Sequence, residues 1–387
     1  MNLELSEEQA AVRDLAASFT DREIVPHAAE WDRAESVDRA IIGKLAKVGF
    51  LGLTIPEEYG GSGGDHLAYC LVLEELGRGD SAVRGIVSVS LGLVGKSINA
   101  FGTEEQKRHW LPRLTSGQSL GCFALTEPGT GSDAANLTTR AVRDGSDWLI
   151  SGAKMFITNG TWADVALVFA RTGGSEPEQQ GHRGITAFLV PTDLPGFTRT
   201  EVHGKLGLRG QATAELSFED VRVPDSARLG EVGKGFTVAM AALAKGRMSV
   251  AAGCVGIARA CLEAAVRYAG EREQFGRPIA SHQLVQELLA GIAVDVEAAR
   301  LLTWKVADHI ERGLPFATES SVAKLHASEA AVRAANNALQ VFGGYGFIDE
   351  YPVGKYLRDA RVMTLYEGTS QIHQLLIGRA LTGINAF

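Results

Sequence analysis

Cysteine is scarce in this 387-residue chain: Cys70, Cys122, Cys254 and Cys261 are the whole complement, and no two form a CxxC pair. That spacing excludes a disulfide scaffold and the common zinc ribbons, and no metal centre is expected. Cys254 and Cys261 fall in a helical pattern, where they read as buried small hydrophobes rather than as a bridge. Basic runs are missing too, and a net charge of −8 argues against a protein that grips nucleic acid through its phosphates. No apolar stretch reads as long enough to span a bilayer. The acidic opening from Met1 to Glu8 runs straight into a helix, so neither a secretory signal nor a transit peptide is expected, and a reducing cytoplasm fits. There is no internal repeat and no low-complexity segment. What is present is the composition of a soluble globular protein, 45% hydrophobic and 22% charged, in a chain long enough for two or three domains.

The pattern divides the chain into a helical part (1–120), a β part (121–232) and a second helical part (233–387). Ser6 and Gln9 read as the capping box of a first helix with Val12, Leu15, Ala16 and Phe19 on one face, ended by Pro26. Further helices are predicted over 37–48, 67–76, 83–101 and 104–114, with a glycine-rich loop over 56–65. From Gly121 to Pro224, period-two runs of Val, Ile, Phe and Trp alternate with turn residues. They predict strands at 148–150, 155–158, 165–170, 185–190 and 214–218, turns at Asp144-Gly145 and Ser151-Gly152, and a polar surface loop over 172–184. Short, closely spaced strands without intervening helices predict an antiparallel barrel or sandwich. Later, Leu284, Leu288, Ile292, Val296, Ala299, Leu302, Val306 and Ile310 recur at helical steps. With 236–271, 322–339 and 370–381 this makes a four-helix bundle. The fold class is thus α+β and multidomain: an N-terminal helical domain, a central antiparallel β-domain and a C-terminal four-helix bundle.

Four stretches carry chemistry. Glu367 follows an apolar run, precedes Gly368, and is flanked by Leu365, Tyr366 and Ile372. Such a setting desolvates a carboxylate, raises its pKa and makes it a better base. Thr369, Ser370 and Gln371 add hydroxyl and amide groups at the start of a final helix; a helix-start motif with a surface acid is the plainer reading. In Leu125 to Asp133, Gly129 and Gly131 let backbone amides approach an anionic or planar ligand, and Thr126 and Ser132 add hydroxyls. Gln340 to Phe347 closes a helix with Gly343, Gly344 and Gly346 among aromatics, where one glycine would serve as a cap. Arg272 to Gly276 ends another helix with a cation and the Phe275 ring aimed outward; the plainer reading is a solvated charge cluster. Three look-alikes fail. Gly60 to Gly64 matches a nucleophile elbow without its strand and helix, and Ser90 stands where a phosphate loop needs its first glycine before Gly95-Lys96-Ser97. Gly129-x-Gly131-x-x-Ala134 follows Pro128, with no βαβ unit after it.

These segments resemble those of acyl-CoA dehydrogenases. Leu125 to Asp133 is similar to that family's first signature, with Thr130 bulkier than usual, and Gln340 to Asp359 is similar to the second. Met155 to Asn159 resembles the flavin-lining strand, Tyr366-Glu367-Gly368-Thr369 the catalytic turn, and the similarity runs almost end to end. It implies FAD-dependent α,β-dehydrogenation of an acyl-CoA thioester to the trans-2-enoyl-CoA, with an electron-transfer flavoprotein as acceptor. By the same resemblance Phe123, Leu125, Thr126, Gly131, Ser132, Phe156 and Thr158 would line the flavin, and Thr369 and Gln371 would contact FAD on the same subunit. Arg272, Phe275, Gln283, Gln340, Gly343 and Gly344 would reach the FAD of a neighbour in a homotetramer of paired dimers. Ser132 would also touch the acyl-CoA, Arg247 would bind CoA, and the Glu367-Gly368 backbone would hold the thioester carbonyl. Glu367 would take the α-proton while the β-hydrogen leaves as hydride to the flavin. The alternative base position of the isovaleryl-type branch, on the helix just before Arg247, is Gly246 here.

The departures bear on the substrate. Ala244 stands where many relatives have an Asp before the CoA-binding arginine, which leaves a carrier-protein thioester open beside CoA. Asp80 to Arg84 and Leu381 to Phe387 resemble glutaryl-CoA dehydrogenases, in which an arginine at this place binds the distal carboxylate. The glutamate which that branch carries seven residues earlier is Gly77 here. Leu301 to Trp304 looks closer to short-chain acyl-CoA dehydrogenases. A short acyl chain is therefore expected, with Arg84 as a surface helix residue; a dicarboxylyl-CoA substrate held by Arg84 is the alternative. A same-fold oxidase or monooxygenase and a non-catalytic thioester-binding scaffold are the other classes, and an intact Glu367 weighs against the scaffold.

Overall fold

The computed structural model describes residues 4–173 and 181–385. Residues 174–180 of the expected surface loop, the first three residues and the last two of the glutaryl-type terminus lie outside the described residues. Helix α1 (Glu7–Glu23) opens as expected, with Ser6 Oγ accepting from the Gln9 amide and the Gln9 side chain accepting from the Ser6 amide. It is followed by α2 (Ala28–Ala34), α3 (Ile41–Lys47), α4 (His66–Gly79), α5 (Ser81–Val89), α6 (Lys96–Phe101) and α7 (Glu104–Thr115). Helix α2 is not among the expected helices; its seven residues are too few to show a period beyond Pro26. The single helix predicted over 83–101 is α5 and α6 joined by a π-helical turn, Ser90–Gly95. That turn fits because residue 92 is glycine: a Cβ there would lie 2.5 Å from the Tyr69 hydroxyl. It brings Leu93 against Phe123 and Ala242. Such turns recur where a helix serves a site.

The central part is one sheet of β1 (Gly121–Ala124), β2 (Arg140–Asp144), β3 (Asp147–Thr158), β4 (Val165–Arg171), β5 (Ile185–Pro191), β6 (Phe197–Glu201), β7 (Thr213–Pro224) and β8 (Arg228–Leu229). Its order is β6-β7-β3-β2-β4-β5-β8, with β1 on β4. Most neighbours are antiparallel, but β1 runs parallel to β4 and β2 meets it in parallel at Arg140↔Arg171. The sheet is therefore mixed rather than wholly antiparallel, because the chain leaves β1 through the β2–β3 hairpin and re-enters beside it as β4. Asp144-Gly145 is the expected hairpin turn, whereas Ser151-Gly152 is a bulge within β3, which unites two expected strands. Register shifts between Ile150 and Gly152, and a Cβ on Gly152 would lie 2.7 Å from Thr139 Cα. A second irregularity, between Lys154 and Ile157, contains Phe156 at φ 60°.

The last part contains the four expected helices, α8 (Gly235–Glu271), α9 (Gln283–Glu311), α10 (Ala317–Phe342) and α12 (Ser370–Thr382), with a fifth, α11 (Val353–Met363), inserted before the last. Helix α10 presents a buried stripe of Ala323, Ala327, Ala331, Ala334 and Ala338, and small residues let helix axes approach. Helix α4 crosses α8 so closely that a Cβ on Gly77 would lie 2.7 Å from the Gly253 carbonyl oxygen. By length and composition Ser81–Phe101 and Gly235–Glu271 could cross a membrane, which corrects the expectation that no stretch could. Both instead sit in the protein core, with 100% and 72% of their apolar windows buried. Helix α11 ties the parts together. Asp359 accepts from the Leu208 amide at 2.6 Å, and Lys355 bridges Asp359 and Asp80, the residue whose side chain caps α5.

Candidate active site

Helix α11 ends at Met363 and α12 starts at Ser370, where Thr369 Oγ1 accepts from the Ile372 amide at 3.2 Å. Between them Glu367 and Gly368 both take positive φ, 52° and 100°. A non-glycine residue in that region is strained, and such strain persists where the surroundings fix it. Glu367 as a residue is half-buried, but its Oε2 is shut from solvent and has no hydrogen-bond partner. Burial pushes its pKa up to about 7, against the opposing pull of Arg84, Lys324 and Arg247. The carboxylate fits there because residue 246 is glycine: a Cβ on Gly246 would lie 2.2 Å from Glu367 Oε2 and 2.8 Å from Leu93 Cδ2. A side chain at 246 and this placement of Glu367 exclude each other.

Arg84 is not a surface residue. It is 2% exposed, donates to the Tyr366 hydroxyl at 2.5 Å and to Ser88 Oγ at 3.1 Å, and keeps Nε without a partner. Its stem occupies the hollow left by Gly253, where a Cβ would lie 2.8 Å from Nε. Helical spacing placed Arg84 on α5 but could not show that α8 and the Tyr366 turn cover that face. No carboxylate lies within ion-pair distance of it among the described residues. Arg247 also keeps a buried Nε without a partner.

The stretch after β1 is anchored from beneath. Lys154, fully buried on β3, donates to Glu127 Oε1 at 2.8 Å and to the Leu125 carbonyl at 3.1 Å. Glu127 also accepts from the Thr138 amide and hydroxyl and the Thr139 amide. The Met155 amide donates to the Thr126 carbonyl at 2.9 Å, which sets this loop beside Phe156. Phe156 is 63% exposed on left-handed backbone, and a Cβ on Gly129 or Gly131 would meet nothing within 4 Å. Open glycines, an exposed strained aromatic, and exposed Ser132 beside half-buried Thr126 and Thr158 make a platform that fits a planar ligand such as a flavin. Phe123 links this platform through Leu93 to Gly246 and Glu367. Leu125 is buried beneath it; Thr369 and Gln371 lie just past Glu367 on α12.

The remaining expected residues form a second cluster. Arg272 caps the far end of α8 and lies over the Tyr345 ring at 5.6 Å, next to exposed Gly343 and Gly344. Gln283 starts α9, Gln340 is exposed near the end of α10, and Phe275 and Phe347 are 93% and 87% exposed. Gly246 lies about three turns into α8 and Arg272 just past its end, so a rise of about 1.5 Å per residue puts the two clusters roughly 40 Å apart along it. Three features escape the sequence reading: Leu93 in the π-turn, the Lys154–Glu127 pair, and Lys324. The last leaves one signal, a lysine set among the small and apolar residues of α10.

Fold and site together are those of an oxidoreductase built as helices, sheet and helical bundle. The chain belongs to the acyl-CoA dehydrogenase family: profiles of the acyl-CoA dehydrogenase N-terminal, middle and C-terminal domains match residues 6–118, 122–221 and 233–382. It is 42% identical over 376 residues to the short-chain specific acyl-CoA dehydrogenase of Rattus norvegicus, covering 97% of this chain and 90% of that one. Among solved structures, butyryl-CoA dehydrogenase from Megasphaera elsdenii is 40% identical with a TM-score of 0.95, covering 98% of this chain and all of that one. A glutaryl-CoA dehydrogenase from Mycobacterium smegmatis in complex with FADH2 is 38% identical with a TM-score of 0.94, covering 99% and 96%.

Proposed function

We propose that the protein dehydrogenates a short-chain acyl-CoA thioester to the trans-2-enoyl-CoA, with Glu367 as the base. The sheltered, partnerless Glu367 carboxylate carries this reading, since a pKa raised by burial to about 7 suits a base that must take a proton from carbon near neutrality. FAD, when bound, supplies the acceptor for the β-hydride. Phe123, Leu125, Thr126, Gly131, Ser132, Phe156, Thr158, Thr369 and Gln371 would hold it from one subunit. Arg272, Phe275, Gln283, Gln340, Gly343 and Gly344 would complete the site of a neighbour, because they lie too far along α8 to serve the same flavin. A homotetramer of paired dimers brings the clusters together, and an electron-transfer flavoprotein is the proposed acceptor. CoA would pass Ser132 and Arg247, and the Glu367-Gly368 backbone amide would donate to the thioester carbonyl, favouring the charge that develops there as Glu367 takes the proton. Leu93, which meets the same space beside Gly246 as the carboxylate, helps to keep water from it, and this preserves its basicity.

The test is anaerobic flavin bleaching across straight-chain, branched and dicarboxylyl CoA esters, with short straight-chain esters expected to react best. Gly246→Ala should slow bleaching by about 10²-fold, because the added methyl displaces the carboxylate by an ångström or more. Retention of parental speed by that variant would place the base elsewhere.

One observation favours a second reading, a substrate ending in a carboxylate. Arg84 is a buried guanidinium with no anion in contact, and burying an uncompensated charge is costly. On that reading Arg84→Met would slow glutaryl-type esters by about 10²-fold more than straight-chain esters. An equal effect on both ester classes would remove the carboxylate role.

A further inference from the structure

Lys324 lies on α10 with no exposed surface, and its Nζ donates to the Gly368 carbonyl at 2.7 Å. No carboxylate lies within ion-pair distance of it among the described residues. One turn further along the same helix, Glu329 accepts from the Ser370 hydroxyl at 2.5 Å. Helix α10 thus grips the chain at two points, directly after the base and at the first residue of α12. The gripped segment is the one with consecutive positive φ at Glu367 and Gly368. On its other side, a Cβ on Gly368 would lie 2.9 Å from His373 Nε2, so the turn is wedged between the α10 lysine and α12.

We propose that Lys324 is a positioning residue, whose ammonium fixes the Glu367-Gly368 turn and favours the ionised form of the Glu367 carboxylate. The inference rests on the reading of Glu367 as the base. A buried ammonium bonded only to a neutral carbonyl lacks a compensating charge, and an ionised Glu367 nearby supplies it. Other charged or titratable groups face the same space: Arg247 and Cys254 on α8, Glu329 on α10, His373 on α12 and Arg84 on α5. Arg247 and Arg84 remain when Lys324 is removed, so the carboxylate loses part of its support, not all. Unlike the two arginines, Lys324 also donates a hydrogen bond to the turn itself.

Lys324→Met should therefore lower kcat by about tenfold with KM little changed, and raise the pH midpoint of kcat/KM by about one unit. The substrate-free protein offers a second readout. The part of its stability change between pH 5 and pH 9 that Glu367→Gln abolishes in each background reports the titration of Glu367, and that part should move upward in the same variant. Lys324→Arg, which restores a charged donor, should return the midpoint toward the parental value. Lys324→Gln, which keeps a donor without charge, should recover kcat more than midpoint, and it carries the test if the methionine variant does not fold. An unmoved midpoint in both Lys324→Met and Lys324→Gln overturns the proposal while leaving Glu367 as the base. A parental bleaching rate in Glu367→Gln would instead remove the reading on which it rests.

Discussion

Glu367→Gln is expected to slow anaerobic flavin bleaching by a good acyl-CoA substrate by about 10²–10⁴-fold, the usual contribution of a positioned general base. Glutamine matches glutamate in size, so the space beside Gly246 still accepts it, and flavin content should stay at the parental level. The pH dependence of the parental enzyme is part of the same prediction. The base works only when ionised, so kcat/KM should rise with pH through about 7, where burial has placed the carboxylate. Stability should run the other way. The folded-state pKa lies above the ordinary value of 4.5, so between those values the folded protein holds the extra proton. The contribution of Glu367 to stability is then lost as pH rises from about 4.5 through about 7. A glutamine cannot ionise, so Glu367→Gln should melt higher than the parent at pH 8 and close to it near pH 4.5. Bleaching at the parental rate would end the assignment.

Much of this site can be read in the sequence because its parts are contiguous. Glu367 and its apolar flanks, the Gly129–Gly131 loop and the glycines after α10 each occupy one short stretch, so local residue type conveys their chemistry. Glu367 is also marked by Gly368 and by the Thr369 cap, both of which follow from backbone geometry. What remains hidden depends on long-range packing. Arg84 reads as a surface residue because its helical period shows which side of α5 it occupies, but not that α8 and Tyr366 close over that side. The π-turn at Ser90–Gly95 escapes because Gly92 looks like an ordinary helical glycine until Tyr69 is packed against it. In the sheet, strands with strict alternation are legible, whereas the two irregularities in β3 shift the phase and split it into apparent pieces. The parallel β1–β4 pairing has no local signal, since four residues cannot announce a direction.

The Lys154–Glu127 pair belongs to this hidden class, and its removal should have the largest effect on stability. Lys154 lies between the two irregularities of β3 and is fully buried, while Glu127 is 4% exposed beneath the proposed flavin platform. Breaking a buried pair by removing one member leaves an uncompensated charge, which costs about 3–5 kcal/mol. Lys154→Met should destabilise the protein by that amount near neutral pH. It should also weaken flavin retention, because the same ammonium holds the Leu125 carbonyl. Burial alone would raise the Glu127 pKa, but Lys154 and the Thr138 and Thr139 donors hold it down at about 2. A lowered carboxylate pKa adds stability above the ordinary 4.5, and that contribution is lost as pH falls through about 2. Without Lys154 the carboxylate protonates at higher pH, so the gap between variant and parent should narrow on acidification from pH 7 to pH 4. Thermal melts at both pH values, with bound flavin measured alongside, check this, and an unchanged melting temperature at pH 7 would refute it. Adding Glu127→Gln to Lys154→Met removes the stranded charge and should recover part of the loss, which a void left by the lysine stem alone would not allow.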